Sequence, residues 1–223
     1  MEKRKLLLNN YNTATDGLWT LSSCILTKGE QVQTFIEVPG RYAPLDLTDY
    51  TTDGQPYYGN ASLDAILESS EGDRAARQGR IDELVNNFDG KSITIVHPDH
   101  PNHYLIGRVQ IRPQYNDMAH AAVQISAVCD PWLYKTNETI YTLTASNTEK
   151  TVTLTNSGRL AVVPSVTLTG SNKFMLAFDN HMWNLSSGDH ILPDLYLTPG
   201  SHDLTYTGSG TIKIAYREAV LAA

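Results

Sequence analysis

Cys129-Asp130-Pro131-Trp132 divides the chain into two halves of different character. Beyond it, Ser and Thr take 22 of the 88 positions from 136 to 223, and apolar residues recur at every second place. Tyr141/Leu143/Ala145, Val152/Leu154, Val166/Leu168, Leu204/Tyr206 and Ile212/Ile214/Tyr216 each fall on one side of an extended chain, with Thr, Ser or Lys between them. That period is the one that buries one face of a strand and leaves the other to water. Turn formers recur every ~8–12 residues, a spacing typical of antiparallel sandwiches. They stand at Asn156-Ser157-Gly158, Thr169-Gly170-Ser171, Ser186-Ser187-Gly188-Asp189, Pro199-Gly200-Ser201 and Gly208-Ser209-Gly210. Residues 136–223 are therefore expected to form one antiparallel β-sandwich, and no internal repeat suggests a solenoid or propeller.

Residues 1–135 read as a second domain, mixing strands with one helix. Leu18 to Leu26 and Val32 to Val38 are expected strands, separated by Lys28-Gly29-Glu30. Pro39-Gly40-Arg41-Tyr42-Ala43-Pro44 then opens a loop that runs through Thr51-Thr52-Asp53-Gly54-Gln55-Pro56. Between about Asp73 and Asp89, Ile81, Leu84, Val85 and Phe88 recur at three- and four-residue spacing and mark an amphipathic helix. Asp73 suits its N-cap, and Gly90 the left-handed position beyond its end. Gly79 weakens its first turns by ~1 kcal/mol relative to Ala. Ser92–Val96, Tyr104–Ile111 and Ala119–Val128 complete the half as strands. The fold class is thus mainly β: a sandwich-like first domain with one α-helix, then an antiparallel sandwich.

The composition, 41% hydrophobic and 18% charged, is that of a globular protein. Net charge is −7; residues 1–135 hold 17 acids and 12 bases (−5), and 136–223 hold 7 and 5 (−2). Neither half has the basic surplus that phosphate neutralisation requires, so specific nucleic-acid binding is not expected. No stretch approaches the ~18 apolar residues needed to cross a bilayer, and Leu6-Leu7-Leu8 is too short for the apolar core of a signal peptide. No membrane partner is therefore expected. Cys24 and Cys129 form no framework and read as reduced, small apolar residues of a protein made in a cytoplasm. The sequons at Asn60, Asn137 and Asn184 are what an Asn-, Ser- and Thr-rich chain contains by chance.

Chemistry has few candidates. His97-Pro98-Asp99-His100-Pro101-Asn102-His103 carries three imidazoles and a carboxylate, the donor types of a metal site. The same residues make a hairpin tip, which Pro and Asx residues favour, and no helical His pair supports a metal, so none is assigned. The paired acids Asp82-Glu83, Asp46/Asp49 and Asp189/Asp194 read as solvated faces and turns. No nucleophile elbow or phosphate loop occurs, so no catalytic residue and no cofactor is assigned. His181-Met182-Trp183-Asn184 is the remaining candidate: an exposed Trp183 on a sandwich could stack on a sugar, whereas a buried one fills the core, as Trp commonly does.

Four stretches together resemble the distal tail proteins of siphoviruses that infect Gram-positive bacteria. They are Asp16-Gly17-Leu18 with Ile36-Glu37-Val38-Pro39-Gly40-Arg41 and Leu45-Asp46-Leu47-Thr48; Asn87-Phe88-Asp89-Gly90-Lys91 with Ile95-Val96-His97-Pro98-Asp99; Tyr104 to Arg108, Ala122 to Val128 and Cys129-Asp130-Pro131-Trp132-Leu133-Tyr134; and Gly158, Val163-Pro164-Ser165-Val166, Leu195-Tyr196-Leu197-Thr198-Pro199-Gly200 and Ile214-Ala215-Tyr216-Arg217-Glu218. The resemblance spans nearly the whole chain. It implies a non-enzymatic virion tail component, synthesised in the host cytoplasm. Its first domain would close into a hexameric ring, and its second, galectin-like sandwich would project outward. Such a hub joins the tail tube protein to the tail-tip protein and anchors tail-tip or receptor-binding proteins, while DNA passes its channel without specific binding. The polar segment Arg112–Asp117 in the long hairpin from Tyr104 to Val128 is expected to offer strands to a neighbouring copy. A carbohydrate-binding adhesion module resting on Trp183 is the alternative.

Overall fold

The computed structural model describes residues 4–48, 57–170 and 173–222. The expected loop through Thr51–Pro56, Asp49 of the Asp46/Asp49 pair and Ser171 of one turn lie outside them. The chain is mainly β, with antiparallel sheets and, among the described residues, one helix. It falls into two compact units, Met1–Leu133 with Leu221–Ala223, and Tyr134–Val220.

The first unit is built on one antiparallel sheet in the order β2-β1-β7-β8-β9-β6-β3. Its strands are β1 (Leu7–Leu8), β2 (Tyr11–Asn12), β3 (Thr20–Thr27), β6 (Ala61–Ser69), β7 (Ser92–Val96), β8 (His103–Asn116) and β9 (Ala121–Cys129), with β4 (Phe35–Ile36) and β5 (Leu45–Asp46) forming a separate pair. β6 alternates at every residue: Ala61, Leu63, Ala65, Leu67 and Ser69 point inward and are buried, while Ser62, Asp64, Ile66 and Glu68 face out. The inner face continues through Val123 and Ile125 of β9 and Val109 and Ile111 of β8.

Helix α1 (Arg74–Phe88) packs across β8 and β9. Its buried stripe is Arg77, Ile81, Leu84 and Phe88, each three or four residues from the last. The Asp73 carboxylate accepts from the Ala76 N–H at 2.7 Å, satisfying one free amide of the first turn. Gly90 follows the helix at φ 71°, a backbone setting that L-residues adopt only with strain. Burying each large aliphatic side chain contributes ~1.5–3 kcal/mol. Arg77 (1% exposed) is the polar member of the stripe. Its guanidinium donates to the Gly72 carbonyl and, at 2.9 Å, to the Asp117 carbonyl at the β8–β9 turn. Helix start and hairpin tip are thereby tied.

Two expected features change. Val32 to Val38 is not a strand of the main sheet: only Phe35–Ile36 pair, and they do so with Leu45–Asp46 rather than with an edge of that sheet. The strand that pairs with β3 is β6, which the sequence pattern left unassigned. Likewise Arg112–Asn116 is no free linker but the end of β8, with a bulge between Pro113 and Tyr115. β9 lies between β8 and β6 along its length, whereas β7 covers β8 only from Leu105 to Arg108, so Arg112–Asn116 pairs with β9 alone and, among the described residues, has no strand on its other side.

The second unit is a two-sheet sandwich. β10 (Trp132–Lys135) and β19 (Ala219–Leu221) carry the chain across the boundary in the two directions. One sheet runs β11-β18-β13-β16 and the other β12-β17-β14-β15, all antiparallel. The strands are β11 (Thr139–Ala145), β12 (Lys150–Asn156), β13 (Ser165–Gly170), β14 (Phe174–Phe178), β15 (His181–Leu185), β16 (Gly188–Ile191), β17 (Gly200–Thr207) and β18 (Gly210–Tyr216). Between the sheets lie Leu154, Val166, Leu176, Leu204, Ile212 and Ile214, all fully buried.

The Tyr216-Arg217-Glu218 stretch fastens this unit where the chain begins and ends it. The Tyr216 hydroxyl donates to the Thr155 carbonyl at 2.6 Å. Arg217 donates to the carbonyls of Lys135 and Thr136 at 2.6 Å each. Buried Glu218 pairs with Lys135 and accepts from the Ser157 N–H at 3.0 Å.

Candidate assembly interface

The His97–His103 segment is a hairpin tip held by short-range bonds. The His100 and His103 amides donate to the His97 and His100 carbonyls at 3.0 Å. The Asp99 N–H donates to His97 Nδ1 at 3.2 Å, which occupies that lone pair and leaves the proton on Nε2. Asp99 also receives Arg4 through both carboxylate oxygens, at 2.9 and 3.1 Å. His97 is 4% exposed, and burial depresses its pKa. Among the described residues no three His, Cys, Asp or Glu side chains converge as a metal site would require.

The carboxylates are dispersed. Asp82 accepts from Gln78 one helical turn back at 2.9 Å. Asp46 is held ionised below the usual carboxylate range by the Thr48 hydroxyl and N–H. Asp189 accepts from the Thr167 hydroxyl at 2.7 Å, and Asp194 lies 4.0 Å from His181 Nδ1. Burial pushes the Cys24 thiol up to about 11 and the Cys129 thiol up to about 12, so both are protonated at neutral pH and poor nucleophiles. Trp183 sits on the edge strand β15, half-buried against the sandwich core, with the His181 ring parallel at 5.9 Å.

What the first unit does expose is an apolar arm. After β3 the chain leaves the sheet, and it is pinned where Val32 donates to the Tyr57 carbonyl at 2.9 Å and Gly59 to the Glu30 carbonyl at 2.8 Å. Between these points β4 and β5 pair through Phe35↔Asp46 and Ile36↔Leu45. Leu47 N–H to the Thr34 carbonyl (2.8 Å) and Thr34 N–H to the Thr48 hydroxyl (3.0 Å) close the base. Along this excursion Val32, Phe35, Ile36, Val38, Tyr42 and Tyr57 are all exposed, Phe35 at 54%. Single exposed apolar residues are ordinary, but six of them among the described residues of one excursion are a concentration of the kind found at interaction sites. Burying each against a partner would contribute ~1.5–3 kcal/mol. The sequence pattern reads Val32 to Val38 as a strand and Tyr42 as part of the loop that follows; Pro39-Gly40 and the run of apolar residues before it were the available signal.

No family model matches the chain, and no curated protein matches it. Its fold is nevertheless shared with a solved structure, that of SPP1 Dit (gp 19.1), described as a paradigm of the hub adsorption apparatus in phages infecting Gram-positive bacteria. The TM-score is 0.68 over 96% of this chain and 98% of that one, at 13% sequence identity. Both units take part in the likeness, since so much of each chain is covered. At this identity it is a likeness of fold.

Proposed function

We propose that this chain is a structural hub of a phage tail, of the distal tail protein type. Copies of the first unit close into a hexameric ring, and the second unit, a galectin-like sandwich, serves as an outward docking arm. The ring continues the tail tube, anchors tail-tip or receptor-binding proteins, and lets DNA pass without specific binding. The observation that carries this reading is the apolar arm between Val32 and Thr48, which its own unit leaves uncovered. Heterologous contact, in which an arm on one copy meets a different patch on the next, generates rings when the rotation closes. The shared fold with a phage hub protein and the dispersed acids and bases support a non-enzymatic role. A carbohydrate role for Trp183 has weaker support, because that ring is half spent on the sandwich core.

The test is the mass and shape of the purified protein, alone and in tail particles. Six-fold rings with a central hole, near six times 24.7 kDa, are expected. The double variant Phe35→Asp/Tyr42→Asp should fall to monomers with its melting temperature unchanged, since both side chains are exposed. A wild-type protein that stays monomeric when concentrated and is absent from purified tails ends the proposal.

A further inference from the structure

The outer face of the first unit's sheet carries a charge pattern that the arm does not explain. Cross-strand register places four rows over β6, β9 and β8: Ser62–Val128–Arg108, Asp64–Ser126–Gln110, Ile66–Gln124–Arg112 and Glu68–Ala122–Tyr115. The two acids therefore stand on β6 and the two arginines on β8, with the uncharged strand β9 between them. Adjacent strands are ~4.8 Å apart, so the strips lie roughly 10 Å from each other across β9. All four charged residues are exposed. Arg108 donates to the Gly90 carbonyl and Arg112 to the Gln110 side chain, both neutral acceptors. Among the described residues none of the four has an ion-pair partner, whereas Arg4 pairs with Asp99 and Arg217 with Glu138. A trough of about 350 Å³ on this face is lined by Ser62, Asp64, Arg108, Gln110, Ser126 and Val128, and Val128 is 57% exposed.

A face with a negative strip, a neutral strip and a positive strip is complementary to itself. Of the two in-plane twofold axes available to stacked sheets, one perpendicular to the strands sets acids on acids. One running along β9 sets the β6 acids of each copy over the β8 arginines of the other. From this we infer that the exposed β6–β9–β8 face is a pairing surface for the same face of a second copy, with the twofold along β9. Such an isologous contact differs from the arm's heterologous one, so it exists whether or not the chain forms a ring. It joins two subunits, or two rings of them, face to face. Opposite strips would steer the encounter and fix its orientation, and Val128 and Ile66 supply the apolar contact. Because the charges are exposed, the pairing weakens as salt rises.

Charge exchange tests it on the full chain. In Arg108→Glu/Arg112→Glu both strips are negative, and in Asp64→Arg/Glu68→Arg both are positive. Each variant alone should lose the pairing by ~10-fold or more in Kd, read by sedimentation at low salt, because like charges now face each other. An equimolar mixture of the two should recover it, and the mixed species should dissociate in high salt. All four positions are exposed, so circular dichroism should be unchanged. Two variants that sediment like the wild type, or a mixture no heavier than its parts, overturn the inference. Loss of six-fold rings through the Phe35/Tyr42 arm variant leaves this result untouched, so the two failures are told apart.

Discussion

The two units solve the same problem, a β-sheet that must end somewhere, in opposite ways. In the second unit the edge strand β12 is closed from within. The Tyr216 hydroxyl donates to the Thr155 carbonyl, and the Tyr141 hydroxyl accepts from the Thr155 N–H at 3.2 Å. Next to it, Asn156 (1% exposed) donates to the carbonyls of Leu160 and Leu197 and accepts from the Gly158 N–H. Outward residues pair across strands, as Thr153 does with Asp203 at 2.7 Å and Thr151 with Thr205 at 3.3 Å. The first unit instead leaves an apolar arm in water and unpaired charge on its sheet face. An unpaired edge or face is a template for another chain, and proteins normally blunt it. The second unit caps the end of β12 from within, although Ile140, Met182 and Ile191 stand exposed on its other edge strands; the first carries its exposed apolar residues on a separate arm.

Buried polar residues offer the sharpest way to test that the units stand separately. Arg77→Leu removes the donor to the Gly72 and Asp117 carbonyls and leaves both without it. Losing two charge-assisted hydrogen bonds from a buried side chain should cost about 3 kcal/mol. Hydrogen exchange should show that loss in amides of β8, β9 and α1, with the sandwich unaffected. Asn156→Ala should produce the mirror image at about 2 kcal/mol, since its three bonds lie wholly within the second unit. Either variant loosening both units equally would show that the two units are not energetically separate.

Legibility in the sequence follows how local each cause is. The helix from Arg74 was readable because its cap, stripe and terminating glycine lie within 18 residues, from Asp73 to Gly90. Arg77 stands four residues before Ile81 on the same stripe, but an apolar pattern does not pick out a charged member. β6 alternates without a break yet was passed over. Its inward residues include Ala61 and Ala65, which have little strand preference, and Asp64 and Glu68 resemble a loop or helix face. The apolar run Val32–Val38 misled in the other direction: hydrophobicity predicts burial, not which chain provides it. The clasp of Tyr216 on Thr155 spans 61 residues, and no pattern announces it. The strips on β6 and β8 appear only once the register is known, because they are separated by the strand order rather than by sequence.

A smaller effect concerns pH and belongs to the first unit alone. His97 is buried beside Arg4 and His100, which disfavour its charge, and Asp99, which favours it; burial dominates, and its pKa lies below 6.5 in the folded state. The unfolded chain therefore binds a proton more readily than the folded one. Stability is full above pH 6.5 and is lost as pH falls through the folded value, by at most ~1.4 kcal/mol for each pH unit traversed. Urea titrations above and below this window should show the decline. In His97→Asn, whose carbonyl still accepts from the Asp99 N–H, the decline should flatten. An unchanged slope in that variant assigns the pH dependence to other groups.

The smallest expected change bears most directly on the contrast between the units. Tyr216→Phe keeps the ring parallel to Tyr141, 6.2 Å away, and removes a single hydroxyl. The loss should be about 1 kcal/mol, the net worth of one hydrogen bond, seen in the melting of the sandwich. Its consequence for the edge is more informative than its size. With the Thr155 carbonyl released, β12 presents an acceptor to other chains, so self-association of the variant through this edge should rise with concentration. Tyr141→Phe should instead release the Thr155 N–H, which hydrogen exchange reads at that residue alone. If neither variant opens the edge, tyrosine capping is not what makes the second unit self-contained, and the Asn156 bonds at the end of β12 must carry that role.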